Sequence, residues 1–365
     1  MKTFICTAGT SIITGTGLDL KHFAKRKLLE WDDLLQPIAE AEHFALHAVR
    51  NKSEQDFPRV SAELNSLIKM GLTPEDRVVL IATETIEGKL CAELVQKVLA
   101  ERRMCSNAEV KIIEGLQAQD GRRFQQVGLK NLISYISQFE HGDVIFNPTG
   151  GFKSVVPYIT LAGMLFNKPV KYIHEFSDDV NTLANIPIRF DEELIFSLED
   201  KLHKIDTDCF ISKKEWQKGI EFADSRYDCL VEESDGRITM SGIGHLMWEK
   251  FKADFPFEMT DEVRQLEKQR KQPGFARLIS KHFQTLELSD ITIKSLQEHA
   301  IEPRVIKSLH SIDHRQPTPG MRWHKFDGGE NLWYCRFSLK GRIYVQMRVG
   351  SSPLVTDIDY DKRLQ

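Results

Sequence analysis

The sequence predicts an α/β protein in three parts: a Rossmann-like parallel sheet, then a small winged-helix-like module, then a C-terminal α+β domain. Three observations lead there. Residues 1–190 alternate short apolar runs with helical patterns, as parallel strands joined by helical crossovers do. The run Arg77–Thr83 is apolar almost throughout, as a strand covered on both faces must be. Beyond residue 320 the helical period gives way to closely spaced alternating runs with short turns, the pattern of an antiparallel sheet.

In the first part the expected strands are Thr3–Thr7, Arg77–Thr83, Glu109–Ile113, Asp143–Phe146 and Pro169–Ile173. Helical patterns fall near Leu28–Arg50, Arg59–Met70, Gly88–Glu101, Gly121–Gln138 and Ser154–Phe166. Residues 190–203 connect to the second part, 204–255. There, Ser212 with Glu215 has the form of a capping box ahead of the Trp216 helix. Glu232–Met240 reads as a hairpin, and a helix follows over Gly242–Phe255. Glu232, Glu233 and Asp235 at the tip of that wing would repel phosphate, so a linker or dimerising role is expected. The third part, 260–365, opens with helices near Asp261–Lys271, Gly274–Gln284, Ser289–His299 and Pro303–His310, with no strand legible ahead of them. Strands follow at Met321–Asp327, Asn331–Leu339, Gly341–Gly350 and Pro353–Asp359, and Lys340-Gly341 is a hairpin signal. Alternation sets Arg342, Tyr344, Gln346 and Arg348 on one face, opposite Ile343, Val345 and Met347.

A chain of 365 residues, 41% hydrophobic and 28% charged, fits two or three globular domains. No apolar run is long enough to span a membrane, and no signal-peptide pattern opens the chain, so a cytoplasmic protein is expected. Its 6 cysteines are scattered without a CxxC pair, which excludes a disulfide framework or zinc ribbon. The net charge of −4 is uneven: residues 261–365 hold 18 Lys/Arg against 13 Asp/Glu (+5), and the remainder 31 against 40 (−9). The polyanion-facing surface is therefore expected in the final third.

The residues that carry chemistry begin at strand exits, where open α/β sheets bind ligands. Asn147-Pro148-Thr149-Gly150-Gly151-Phe152-Lys153-Ser154 joins an apolar strand to an apolar helix. Its glycines allow close backbone approach, its N–H groups favour an anion, and Lys153 adds a charge. Ala8-Gly9-Thr10-Ser11 follows the first strand, and Thr83 to Gly88, with Glu84 and Thr85, follows the second. The three turns are expected to converge on one pocket, with Arg122 and Arg123 nearby. The spacing is not a P-loop, and Gly9, Gly15 and Gly17 do not match GxGxxG, so no dinucleotide cofactor is expected.

The eight-residue turn at 147–154, with Gly9-Thr10-Ser11 after the first strand, resembles the signature turns of the CARF domain, the CRISPR-associated Rossmann fold. The resemblance covers roughly residues 1–190. It implies a CRISPR type III ancillary effector, a homodimer holding a cyclic oligoadenylate across its two-fold axis. The contacts would come from Gly9, Thr10, Ser11, Glu84, Thr85, Asn147, Thr149, Gly150, Gly151, Phe152 and Lys153. A two-fold site favours an even ring, so cyclic tetra-adenylate leads.

In the tail, Trp333 to Val345 resembles the adjacent strands of the RelE family of messenger-RNA-cleaving toxins, and Asp357 to Arg363 stands where that family ends on a strand and a Tyr-containing tail. This implies metal-independent mRNA cleavage on the ribosome. Arg336, Arg342 and Arg348 would stabilise charge at phosphorus, and Lys340, Tyr360 and Lys362 would transfer protons. Two alternatives stand beside it. One is a HEPN-type ribonuclease cutting free RNA, for which Arg277/His282 and Arg304/His310 match Arg-x4-6-His. The other is a transcription regulator in which 204–255 reads DNA. No metal site is expected: the histidines do not pair with carboxylates at ligand spacing, and His310 and His314 share a helix face without a third ligand.

Overall fold

Residues at the centre of an open parallel sheet must be apolar on both faces, and the second strand meets that condition: Val78 to Ala82 are all buried. The computed structural model describes residues 1–19, 21, 23, 26–174, 179–184, 192–220, 225–314, 323–325, 331–337, 341–348 and 351–360. The chain divides into two compact units, Met1–Lys250 and Phe251–Gln365.

The first unit carries β1 (Thr3–Thr7), β2 (Arg77–Ala82), β3 (Asn107–Ile112), β4 (Val144–Asn147), β5 (Val170–Ile173) and β6 (Val180–Leu183), in the order β3-β2-β1-β4-β5-β6. All pair in parallel except β6, an antiparallel edge strand whose four residues gave no sequence signal. The order reverses between β1 and β4, and this creates a crevice at their carboxyl ends. Helices α1 (Leu35–Arg50), α2 (Ala62–Lys69) and α3 (Ile86–Glu101) cover Phe4, Cys6 and Leu80 on one face. Helices α4 (Leu129–Ser137) and α5 (Val156–Leu165) cover Ile5, Val79, Ile81 and Phe146 on the other. Two expected helices are shorter than their patterns. The first begins as two 3-10 turns before Leu35, and the pattern from Gly121 is interrupted by a π-helical turn at Phe124–Gly128.

Then follow α6 (Glu199–Asp208), β7 (Ile211–Ser212), α7 (Lys213–Gln217), β8 (Val231–Ser234), β9 (Arg237–Met240) and α8 (Gly242–Asp254), the last of which runs from the first unit past its end at Lys250, with the small sheet ordered β7-β9-β8. Ser212 caps α7 by accepting the Glu215 N–H. Asp235 and Gly236, at φ +54° and +72°, make the hairpin turn that two left-handed residues allow. Asp206 fastens this module to the sheet domain, pairing with Lys130 at 2.9 Å.

The second unit contains α9 (Phe257–Gln269), α10 (Phe275–His282), α11 (Asp290–Glu298) and α12 (Pro303–Asp313). Its sheet is ordered β10-β14-β13-β12-β11, from β10 (Glu287–Leu288), β11 (Trp323–Lys325), β12 (Leu332–Arg336), β13 (Arg342–Gln346) and β14 (Leu354–Asp359). Strand β10 precedes α11 and α12 and pairs in parallel with β14, so a strand does stand ahead of the last two helices. Two residues are too few to show a period. Ile343 and Val345 are buried as expected, with Val355 and Ile358 beside them, but β13 stops at Gln346, so Met347, expected on the same apolar face, is exposed, and Arg348 lies beyond the strand. Among the described residues no helix is long and apolar enough to cross a membrane.

The start of β1 is fastened to β2 by buried Asp76, whose carboxylate accepts the N–H groups of Lys2 (2.6 Å) and Thr73 (3.0 Å) and the Thr73 hydroxyl (2.9 Å). Burial alone would raise this carboxyl; the three bonds outweigh it and hold it below the ordinary 3.8. A lowered folded value stabilises the fold above the unfolded value and loses that contribution as pH falls through the folded one. Asp76→Asn should therefore cost about 1.5–3 kcal/mol near neutrality, and the difference from wild type should shrink as urea titrations are taken below pH ~3.8. A difference independent of pH would contradict this account.

Candidate functional site

The reversal in strand order brings the turns at 8–11 and 147–154 into contact. The Thr7 hydroxyl donates to the Gly150 carbonyl. A Cβ on Gly9 would stand 2.5 Å from the Gly151 nitrogen, and one on Gly150 would stand 1.9 Å from Glu63 Oε1. Gly151, at φ +83°, adopts a conformation that side chains disfavour. Beneath both turns lies Glu63 of α2, 1% exposed. It accepts the Gly9 N–H at 2.7 Å and the hydroxyls of Ser11 and Ser61 at 2.8 Å each, while the Ser11 oxygen accepts the Ala62 N–H. Sequence reasoning missed Glu63 because Ser-Ala-Glu at a helix start reads as ordinary capping.

The expected ligand residues separate into two sets. Asn147 and Thr149 face inward. Asn147 donates to the Ser66 hydroxyl and accepts from the Thr149 N–H and hydroxyl, and Thr149 in turn accepts the Ile173 N–H. These bonds fix the turn and tie it to β5. Thr10 and Lys153 are exposed, the latter with its ammonium 3.0 Å from the Thr149 carbonyl. Phe152 meets Phe124 edge-on at 5.1 Å. The N–H groups of Gly151, Phe152 and Lys153 make no hydrogen bond to another described residue, so the turn offers successive donors to an anion. In the third turn Thr85 caps α3 through the Gly88 N–H. Glu84 is taken up at the β3 exit, accepting the Gly115 N–H at 2.9 Å and pairing with Arg123 at 3.1 Å. Among the described residues no hydrogen bond joins 83–88 to either of the other turns, and Arg123 is engaged by Glu84 and Glu114.

In the second unit the register aligns Arg336 with Arg342 and Arg342 with Asp359, and, one row along, Tyr334 with Tyr344 and Tyr344 with Asp357. The Arg342 guanidinium lies 5.6 Å from the Tyr334 ring centre, and its buried Nε has no hydrogen-bond partner among the described residues. Arg348 pairs with Glu287 at 2.8 Å, an exposed contact of small energy. Tyr360 stacks on His299 (4.6 Å between ring centres, 11° between planes), and its hydroxyl has no partner. Burial pushes that phenol well above its ordinary value. Lys340 and Lys362 lie outside the described residues, and of Arg336 only the backbone is described. A cleft of about 500 Å³ is lined by His299, Tyr344, Asp357 and Tyr360 among others. His299 Nδ1 lies 3.1 Å from the Ser295 carbonyl and donates its hydrogen to it, which leaves Nε2 free of that contact. In the sequence His299 reads only as a favourable charge at a helix end.

One expectation is overturned. The histidines do gather with a carboxylate: Glu262, His282 and His310, from three separate helices, bring one donor atom each to within 4.8 Å of the others. Burial would raise the Glu262 carboxyl, but bonds from both imidazoles outweigh it and draw it down to about 2. The bond to Glu262 raises His310 above its ordinary value despite burial. The spacing in sequence hid the cluster because tertiary packing, not one helix face, assembles it.

A family described as CRISPR-associated protein (Cas_APE2256) matches residues 58–186, which lie in the first unit and include the 147–154 turn. No curated protein matches the chain. Among solved structures, Can2 from Sulfobacillus thermosulfidooxidans in complex with cyclic tetra-adenylate is 11% identical, over 78% of this chain and 69% of that one, with a TM-score of 0.25. Similarity at that level carries no argument about this chain.

The contact between the turns makes glycine obligatory at position 150 and not at Gly121, where a Cβ would meet nothing. Gly150→Ala should lower stability by about 1–3 kcal/mol, and Gly121→Ala should be neutral or slightly stabilising. Urea unfolding followed by circular dichroism checks this; equal midpoints for the two variants would show that the turns do not touch.

Proposed function

We propose that the first unit is the cyclic oligoadenylate sensor of a CRISPR type III system and that the second is the nuclease it controls. The observation that carries the reading is the meeting of two glycine turns at the reversal point of the sheet, inside a unit whose residues 58–186 match a CRISPR-associated family. Ligand phosphates sit against the N–H groups of Gly151, Phe152 and Lys153, with the Lys153 ammonium and Thr10 beside them. Glu63, Asn147 and Thr149 act by holding the turns in shape. Two copies of the crevice about a two-fold axis grip one ring, and an even ring, cyclic tetra-adenylate first, fits that symmetry.

The second unit, in this reading, is a RelE-like endoribonuclease cutting messenger RNA on the ribosome. A strand, two helices and an antiparallel sheet in that order support it, with β10 pairing in parallel with β14. Arg342 and Arg336 stabilise charge at phosphorus. Tyr360, kept protonated by burial, is suited to give a proton and not to take one. His299 Nε2 supplies a proton acceptor in the same cleft. The ribosome fixes the geometry of the substrate, a contribution that orientation alone makes large. Arg348 joins only if it leaves Glu287, and ligand binding at the dimer is relayed through residues 204–255.

Two outcomes test this. Lys153→Ala should weaken cyclic tetra-adenylate binding by about 1.5–3 kcal/mol, with wild type binding one ring per two chains by calorimetry; unchanged affinity removes the site. Separately, Arg342→Ala should abolish message cleavage in an activator-supplied translation reaction read by primer extension, and His299→Ala should slow it about 100-fold or more. Both should keep full ligand affinity. Cleavage that persists in Arg342→Ala removes the active site, and cleavage as fast on naked RNA removes the ribosome dependence.

A further inference from the structure

The Glu262, His282 and His310 cluster lies outside the machinery described above. Glu262 projects from α9, His282 ends α10, and His310 lies in the last turn of α12. His282 Nε2 is 2.6 Å from Glu262 Oε1, and His310 Nε2 is 2.8 Å from Oε1 and 3.0 Å from Oε2. Both imidazoles therefore aim the same nitrogen at one carboxylate. All three side chains keep about a quarter of their surface exposed (26%, 26% and 21%), so solvent reaches the point on which they converge.

The surroundings hold this arrangement. Asp313, one turn beyond the cluster on α12, accepts the N–H groups of Gln284 (3.0 Å) and Thr285 (2.5 Å). The segment leaving His282 is thereby pinned to the helix that carries His310. Phe283 stands edge-on to both rings, 5.1 Å from His282 and 5.2 Å from His310, and fixes their planes. His314 lies parallel to His310 at 6.0 Å and buttresses it from the other side. Ligands held in place by an outer layer of hydrogen bonds and apolar contacts are what a metal site requires before the metal arrives.

We propose that Glu262, His282 and His310 bind one divalent transition-metal ion of the zinc class. Two imidazoles and a carboxylate are a zinc donor set with a fourth position left for water, and two nitrogen ligands disfavour magnesium and calcium. Around a tetrahedral ion with bonds of about 2.05 Å the ligand atoms stand about 3.3 Å apart. The Glu262–imidazole separations are shorter by roughly half an ångström, within reach of a rotation of the Glu262 side chain. On binding, each Nε2 offers its lone pair to the metal, and the hydrogen it had shared with Glu262 moves to Nδ1 of the same ring or, where Nδ1 already carries one, to solvent. The ion then joins α9, α10 and α12, three helices that the chain connects only through intervening turns, and stabilises the second unit. This proposal is independent of the nuclease reading.

The test uses the full chain without an affinity tag, stripped by a chelator and titrated with zinc chloride against a chromophoric competitor. One zinc ion per chain is expected, together with a rise in the thermal transition of the second unit and visible absorption bands when cobalt(II) replaces zinc. Magnesium and calcium should not compete. His282→Asn, His310→Asn and Glu262→Gln keep a hydrogen-bonding group at each position, and circular dichroism without metal establishes that each is folded. Each should lose on the order of 100-fold in zinc affinity, whereas His43→Ala, at an exposed position in the first unit, should lose none. Absence of stoichiometric zinc in wild type, or zinc retained by the His282/His310 double variant, would overturn the site and leave a hydrogen-bonded triad.

Discussion

Removing a carboxylate from water costs several kcal/mol unless donors surround it, and the first unit is built to surround Glu63. Its donors come from the exit of β1 (Gly9, Ser11) and from the start of α2 (Ser61). Each brings its own segment to the reversal point of the sheet. Gly150 is excluded from carrying a side chain by the same carboxylate, and Gly151 by the β1 exit. The shape of the candidate crevice is thus set from below by one buried charge, and the residues above it are free to present backbone N–H groups outward. Asn147 repeats the logic on the β4 side, where every polar atom of its side chain has an internal partner.

How much of this was legible depends on whether a feature is local. The strands β1, β2 and β4 were legible because continuous apolar runs of three to five residues leave a signal in one dimension. The turn at 147–154 was legible because a strand exit, two glycines and a helix start are consecutive. Glu63 was not, since its role arises from Gly9 and Ser11, more than fifty positions away. Edge strand β6 and two-residue β10 are held by their neighbours and carry no period of their own. The inward turning of Asn147 and Thr149 was equally hidden: a polar residue at a strand exit has the same sequence signature whether it meets a ligand or the backbone.

The charge asymmetry read from the sequence changes meaning once partners are assigned. The excess of cations in the final third does not form one basic surface. Arg270 pairs with Glu267, Lys307 with Asp254 and Arg348 with Glu287. These pairs draw three of the cations away from any polyanion, and the anion site proposed above rests instead on the row shared by β12, β13 and β14.

In that row Arg342 is the informative residue. A buried guanidinium N–H without an acceptor costs about 1–3 kcal/mol, and the Nε of Arg342 is in that state, with Tyr334 beneath the guanidinium and Asp359 opposite it in register. The Nε of Arg77 in the first unit is in the same state although its guanidinium pairs with Glu109 at 2.8 Å, so what sets Arg342 apart is its place in the row with Tyr334 and Asp359. An unsatisfied donor on a planar, always-charged group favours an acceptor supplied from outside, and phosphate fits both the charge and the fork. The Tyr360 hydroxyl is buried and likewise without a partner among the described residues. The proposed chemistry in this unit therefore starts from these two atoms and not from the basic character of the segment.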